Sequence, residues 1–120
     1  HKGVQSLMKD LNALYKQEPA LYKYAFEARG FEWVDYSDHQ NSVIIYQRKA
    51  DEKDELLLVA CNFTPQTLLQ YRVGVPYRGQ WKEIFNSDDL KYGGSGALNP
   101  GKLHTSPIKY HHRDYSVALT

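Results

Sequence analysis

The sequence predicts a mainly β domain, an antiparallel β-sandwich, led in by a helical segment. Three observations carry this. Apolar residues recur by threes and fours as far as Tyr15, and by twos beyond Gly30. Short apolar segments then follow at regular spacing, divided by Gly, Pro and Asx turns. Finally, the consecutive apolar run Leu56 to Cys61, closed by Asn62 and Pro65, is too short for a membrane span and suits a buried central strand.

Each element has its own signal. Val4, Leu7, Met8, Leu11, Leu14 and Tyr15 form one face of an amphipathic helix, with Gln5, Lys9, Asp10, Asn12 and Lys16 turned to water. Glu18-Pro19 ends it, and Pro19 can open a second short helix through Tyr24. Phe31 to Tyr36 alternates, which places Phe31 and Trp33 on one face and Val34 and Tyr36 on the other. Ser37 to Asn41 is a turn, Ser42 to Arg48 is strongly β-forming, and the charged loop Lys49 to Glu55 joins it to the central run as a hairpin. That run ends near Thr64, because Pro65 can neither donate to a ladder nor let its predecessor turn helical. Further strands are expected over Thr67–Val75, Gln80–Phe85, Leu103–Tyr110 and Tyr115–Thr120. Between the second and third of these, Asn86 to Gly101 forms a long loop, of a length that is often functional.

Composition narrows the function. A formal charge of +1 over 120 residues gives no electrostatic reason to expect nucleic acid or an anionic membrane as partner. No stretch is long enough to cross a bilayer, and no signal peptide is evident. A lone Cys61, within the run expected to be buried, reads as an apolar filler in a reducing compartment. The helical pattern starts directly after His1 without a cap, and Met8 lies inside it, so a piece of a longer chain is expected. The outlier is aromatic content: ten Tyr, two Trp and four Phe, which suits a twisted sheet and also a surface that stacks on sugars.

The usual catalytic signatures are missing. The carboxylates include no convincing catalytic pair: Asp51, Glu52, Asp54 and Glu55 read as a solvated hairpin turn, and Asp88-Asp89 as an Asx turn. His111 and His112, as strand neighbours, would point to opposite faces and could not share a metal ion, so no metal and no cofactor are expected. Gly93-Gly94-Ser95-Gly96 lacks the Lys-Ser/Thr of a phosphate loop and reads as a flexible turn. Asn62-Phe63-Thr64 matches a glycosylation acceptor but ends a strand expected to be buried. The aromatic residues are the stronger candidates. Trp33, between Glu32 and Asp35, is either a sugar platform flanked by hydroxyl acceptors or a filler of the seam between helices and sheet. Trp81 shares a face with Glu83 and Phe85 and is expected in the core, while Tyr92 in the long loop is a second sugar-binding candidate.

Several stretches, in order, carry a resemblance. They are His1 to Leu7, Asp10 to Tyr15, Glu18 to Leu21, Gly30 to Asp35, Asn41 to Val43, Cys61 to Pro65 and Tyr71 to Pro76. Gly79 to Glu83, Asn86 to Asp88, Tyr92 to Gly96 and Tyr115 to Thr120 continue them. Together they resemble the C-terminal region of bacterial 1,4-α-glucan (glycogen) branching enzymes of the α-amylase superfamily. The resemblance implies that residues 1–29 are the end of a catalytic (β/α)8 barrel and residues 30–120 an α-amylase-type C-terminal all-β domain. It implies a cytoplasmic glycosyltransferase that moves an α-1,4-glucan segment to a 6-hydroxyl by a retaining mechanism. The catalytic carboxylates of that family lie in the barrel, and no residue here corresponds to them. The partners implied are α-glucan and the barrel, which would cover the helix stripe Val4, Leu7, Leu11 and Tyr15; in its absence a second copy is expected there. The alternatives are a non-catalytic glucan-binding module and the C-terminal domain of another α-amylase relative.

Overall fold

The computed structural model describes residues 2–52 and 55–120. Lys53 and Asp54, part of the expected charged hairpin loop, and His1 lie outside the described residues. The chain is mostly strand, paired antiparallel, with a helix at its N-terminus, as the sequence predicts. Helix α1, Lys2–Gln17, extends the expected stripe by a half-turn at each end, and its Val4, Met8 and Tyr15 are exposed. Among the described residues no helix is long and apolar enough to cross a membrane. Two compact units divide the chain, Met8–Pro65 and Gln66–Thr120, the second including the first residues through Leu7.

The Met8–Pro65 unit holds a three-stranded meander, β1 (Phe31–Asp38), β2 (Val43–Lys49) and β3 (Leu56–Asn62), in that spatial order. This corrects the expectation that Leu56–Cys61 is the central strand. Two successive hairpins put the middle strand in the centre whichever strand is most apolar, so β2 is central and buries Val43, Ile45 and Gln47. β3 pairs only with β2 among the described residues, and none of its residues is fully buried. Every buried side-chain polar atom among the described residues, Gln47 included, has a hydrogen-bond partner.

The short helix α2, Pro19–Tyr22, starts at its proline and lies against β2 and β3 with Ala20 fully buried. Just after it, Lys23 Nζ and Tyr24 OH both donate to the carboxylate of Asp51 in the β2–β3 turn. Arg29 lies 3.7 Å over the Tyr24 ring. Asp51 is thus a tether rather than a purely solvated turn charge. It is held below its ordinary value, by Lys23 first and Tyr24 second.

In the Gln66–Thr120 unit, β4 (Tyr71–Val75) pairs with β7 (Tyr115–Leu119) and buries Val73, Val75 and Val117. The buried Ser116 Oγ accepts from Arg72 at 2.8 Å. β5 and β6 are shorter than expected, two residues each: Gln80–Trp81 and Leu103–His104. A single bridge from Ser106 to Ser116 of β7 follows, and on the β5 side the donors end at Thr105 N, since Pro107, the next residue facing that way, has no N–H to give. His111 and His112 are therefore not strand residues. They form the centre of a tight turn between the bridged Tyr110 and Arg113, both in the left-handed region at φ 49° and 61°.

Candidate functional site

Trp33 sits on an aromatic face of the β1–β2–β3 sheet. Across β1 and β2, Trp33 opposes Tyr46 whereas Asp35 opposes Ile45, so Val34 is an extra residue, a β-bulge. The bulge resets the alternation beyond it. Tyr36, expected on the face opposite Trp33, instead lies 5.4 Å from it, ring centre to ring centre. Phe31 packs edge-on to Trp33 at 4.9 Å and stacks on Tyr46 at 5.1 Å. The result is a cluster of four rings in which Trp33 is held from two sides and still 51% exposed, and Tyr36 65%. Glu32 and Asp35 pair across to Gln47 and Ile45, so they belong to the other face and are not brought to the Trp33 ring. Glu32 instead meets Lys49 at 3.3 Å, and Asp35 accepts from the Ser37 amide and hydroxyl.

Beyond Tyr36 the same face runs into a hollow of about 290 Å³ lined by Tyr36, Asp38, His39 and the exposed Phe63. On β3, Cys61 is half-buried, and burial pushes its thiol up, away from the thiolate that nucleophilic chemistry needs. Asn62 is exposed, contrary to the reason for setting its acceptor motif aside; its carbonyl oxygen is taken by the Thr64 amide and hydroxyl.

Tyr92 occupies a different, built loop. Asp89 caps a 3₁₀ turn, Leu90–Tyr92, by accepting from the Lys91 amide, and Gly93 ends it in the left-handed region at φ 84°. Asp88 fastens the following glycine stretch: its carboxylate accepts from Ser95 N and Oγ and from Ala97 N. Those bonds hold the Asp88 carboxyl below its ordinary value, the Ser95 hydroxyl contributing most. Farther on, Asn99 donates to Glu83 from both its amides, while its side chain exchanges bonds with the Thr120 backbone. At the other end of the loop, Gly3 of α1 sits so close that a Cβ there would lie 2.4 Å from Tyr92 O.

These loop contacts frame a groove of about 250 Å³ between Glu83, Asp89, Asn99, Phe85 and Tyr92. The Phe85 and Tyr92 rings are 5.6 Å apart, and Lys91 Nζ lies 5.1 Å from the Tyr92 ring. Trp81, expected in the core, is half-buried and donates to Tyr77 O. Sequence reasoning found Tyr92 but missed Asp88 as the fastener and Phe85 as the wall; Ser95 and the glycines seven residues on were the available signal for Asp88. Among the described residues, no group of three or more His, Cys, Asp or Glu could hold a metal ion.

A family described as alpha amylase, C-terminal all-beta domain, matches residues 33–120. The 1,4-alpha-glucan branching enzyme GlgB of Aquifex aeolicus (strain VF5) is 48% identical over 120 residues, all of this chain and 19% of that protein. GlgB of Prochlorococcus marinus (strain AS9601) is 50% identical over 119 residues, 99% of this chain and 16% of that protein. GlgB of Synechococcus elongatus (strain ATCC 33912 / PCC 7942 / FACHB-805) is 47% identical over 119 residues, 99% of this chain and 15% of that protein. The chain thus spans less than a fifth of the length of these curated relatives.

Proposed function

This chain belongs to the family of α-amylase C-terminal all-β domains, and on that premise we propose that it is the C-terminal part of a 1,4-α-glucan branching enzyme. In this reading residues 1–29 close a catalytic barrel and residues 30–120 form the domain that supports it. The parent transfers an α-1,4-glucan segment to a 6-hydroxyl, forming an α-1,6 branch in cytoplasmic glycogen biosynthesis. The observation that carries the reading is the 48% identity over all 120 residues, helix and strands together. The exposed apolar residues of α1, Val4, Met8 and Tyr15, support it, since a docked barrel would cover such a stripe.

Retaining transfer needs two carboxyl groups about 5–5.5 Å apart across the scissile bond. Asp88, Glu83 and Asp38, each accepting two or three hydrogen bonds, are engaged in loop and turn architecture. The chain alone should therefore form no α-1,6 linkages when incubated with amylose and the product debranched and sized. Measurable branching by residues 1–120 would overturn this part of the reading.

Its own contribution is to hold glucan on the Trp33 face. A rigid, half-exposed indole flanked by Tyr36 offers a pyranose its apolar face, as stacking on sugars requires. Calorimetric titration with maltoheptaose should show Trp33→Ala binding about tenfold more weakly, roughly 1.4 kcal/mol. Equal affinities in wild type and variant would remove Trp33 from the glucan site.

A further inference from the structure

The groove at Tyr92 differs from the Trp33 face in shape, and that difference bears on what each can take. Its volume of about 250 Å³ falls below the ~300–1,000 Å³ of pockets that enclose drug-sized ligands. It has room for one sugar ring. Its walls divide by chemistry: Phe85, Tyr92 and Leu98 supply apolar surface, while the Glu83 and Asp89 carboxylates supply hydrogen-bond acceptors. The walls are also fixed before any ligand arrives. Asp89 is held by the cap it makes, Asn99 by Glu83 and the Thr120 backbone, and the Tyr92 ring by Phe85. A preformed pocket avoids the ordering cost that weakens binding to mobile loops.

Resting on the glucan reading above, we infer that this groove binds the terminal glucosyl unit of an α-glucan chain. The Tyr92 ring meets the C–H face of the sugar, and the Glu83 and Asp89 carboxylates accept hydrogens from its hydroxyls. A terminal unit presents one more hydroxyl than an internal unit does, and two carboxylates suit that extra donor. The Trp33 face, open along its length, takes chain interiors; the groove takes ends.

Amide chemical-shift titrations of the 120-residue chain separate the two sites. Methyl α-glucoside, maltotriose and maltoheptaose should all shift the amides of Lys91, Tyr92 and Asn99 with affinities within about threefold of one another, because only one unit is bound. A cyclic α-1,4-glucan, which has no end, should leave these amides unmoved while shifting those around Trp33. Asp89→Asn keeps the cap to Lys91 and removes the charge, and should weaken methyl α-glucoside binding at the groove about fivefold or more. Trp33→Ala should leave groove binding unchanged. If linear and cyclic glucans shift only the Trp33 region, the groove assignment fails and the glucan reading stands. If no glucan shifts any amide, glucan binding by this chain fails as well. Equal shifts at the groove from cyclic and linear chains would overturn the preference for ends.

Discussion

Gly74→Ala should destabilise the chain by about 3 kcal/mol or more, a drop in Tm on the order of 10 °C for a chain of this size. Gly74 lies in β4 opposite Ser116 of β7. A Cβ there would stand 2.1 Å from Tyr110 O and 3.0 Å from His111 Cβ. The obstacle is backbone, and it is fixed on every side. Tyr110 is bridged to Arg113 through the left-handed turn at His111 and His112. Gly74 N donates to His111 Nδ1 at 3.1 Å, and Gly74 O accepts from Arg113 Nη1 at 3.2 Å. A methyl group must therefore push the turn away and break both bonds, exposing the donors and acceptors they satisfied. Gly101→Ala is the control: nothing lies within 4 Å of its would-be Cβ, so its Tm should stay close to wild type. A Gly74→Ala chain melting within 2 °C of the control would show that the turn yields easily.

The same contact explains what sequence reasoning missed at His111-His112. Read as a strand pair, two histidines pointing apart are merely uninformative. In the fold they adopt a conformation disfavoured for residues with a Cβ, and the His111 bond to Gly74 helps hold it. Nothing local in the sequence announces a partner 37 residues away. By contrast, α1 and the strands β1, β2, β4 and β7 were legible, because each is set by periodicity or β-forming composition, and α1, β1 and β4 also by a nearby Pro or Gly. Strand order was not. Leu56 to Asn62 has the most apolar composition but sits at an edge, since order in a meander follows connection rather than hydrophobicity.

The Trp33 face was half legible for a related reason. Trp33 was singled out by its type and neighbours. Its companion Tyr36 was assigned to the wrong face, because a single extra residue at Val34 inverts everything after it. The acids thought to flank Trp33 were displaced for two reasons: the pleat turns Glu32 to the face of Gln47, and the bulge at Val34 turns Asp35, which plain alternation would leave beside Trp33, to the face of Ile45. What remains around the Trp33 ring is aromatic, Phe31, Tyr36 and Tyr46, a surface suited to stacking. The Tyr92 groove, by contrast, has Glu83 and Asp89 in its walls.

The glycine stretch that follows Tyr92 is ordered by one carboxylate. Asp88→Ala should release the segment Gly94–Ala97, with hydrogen-exchange protection at the Ser95 and Ala97 amides falling at least about tenfold. Both carboxylate oxygens are in use: Oδ1 accepts from Ser95 N, and Oδ2 from Ser95 Oγ and Ala97 N. Asp88→Asn should therefore be nearly as harmful, since whichever way the amide turns, its NH₂ faces a backbone donor. The glycine next to the fastener cannot be replaced to compensate, because a Cβ at Gly94 would lie 2.2 Å from Asp88 O. Acid should imitate the mutation. The folded carboxyl titrates below its ordinary 3.8, so its contribution is complete above that value and is lost as pH falls through the lowered one. Loop protection should thus hold down to about pH 4 and fall progressively below it as pH passes the lowered value, while β4 and β7 amides stay protected. If Ser95 and Ala97 exchange at the same rate in wild type and Asp88→Ala, the Asp88 bonds do not order this loop.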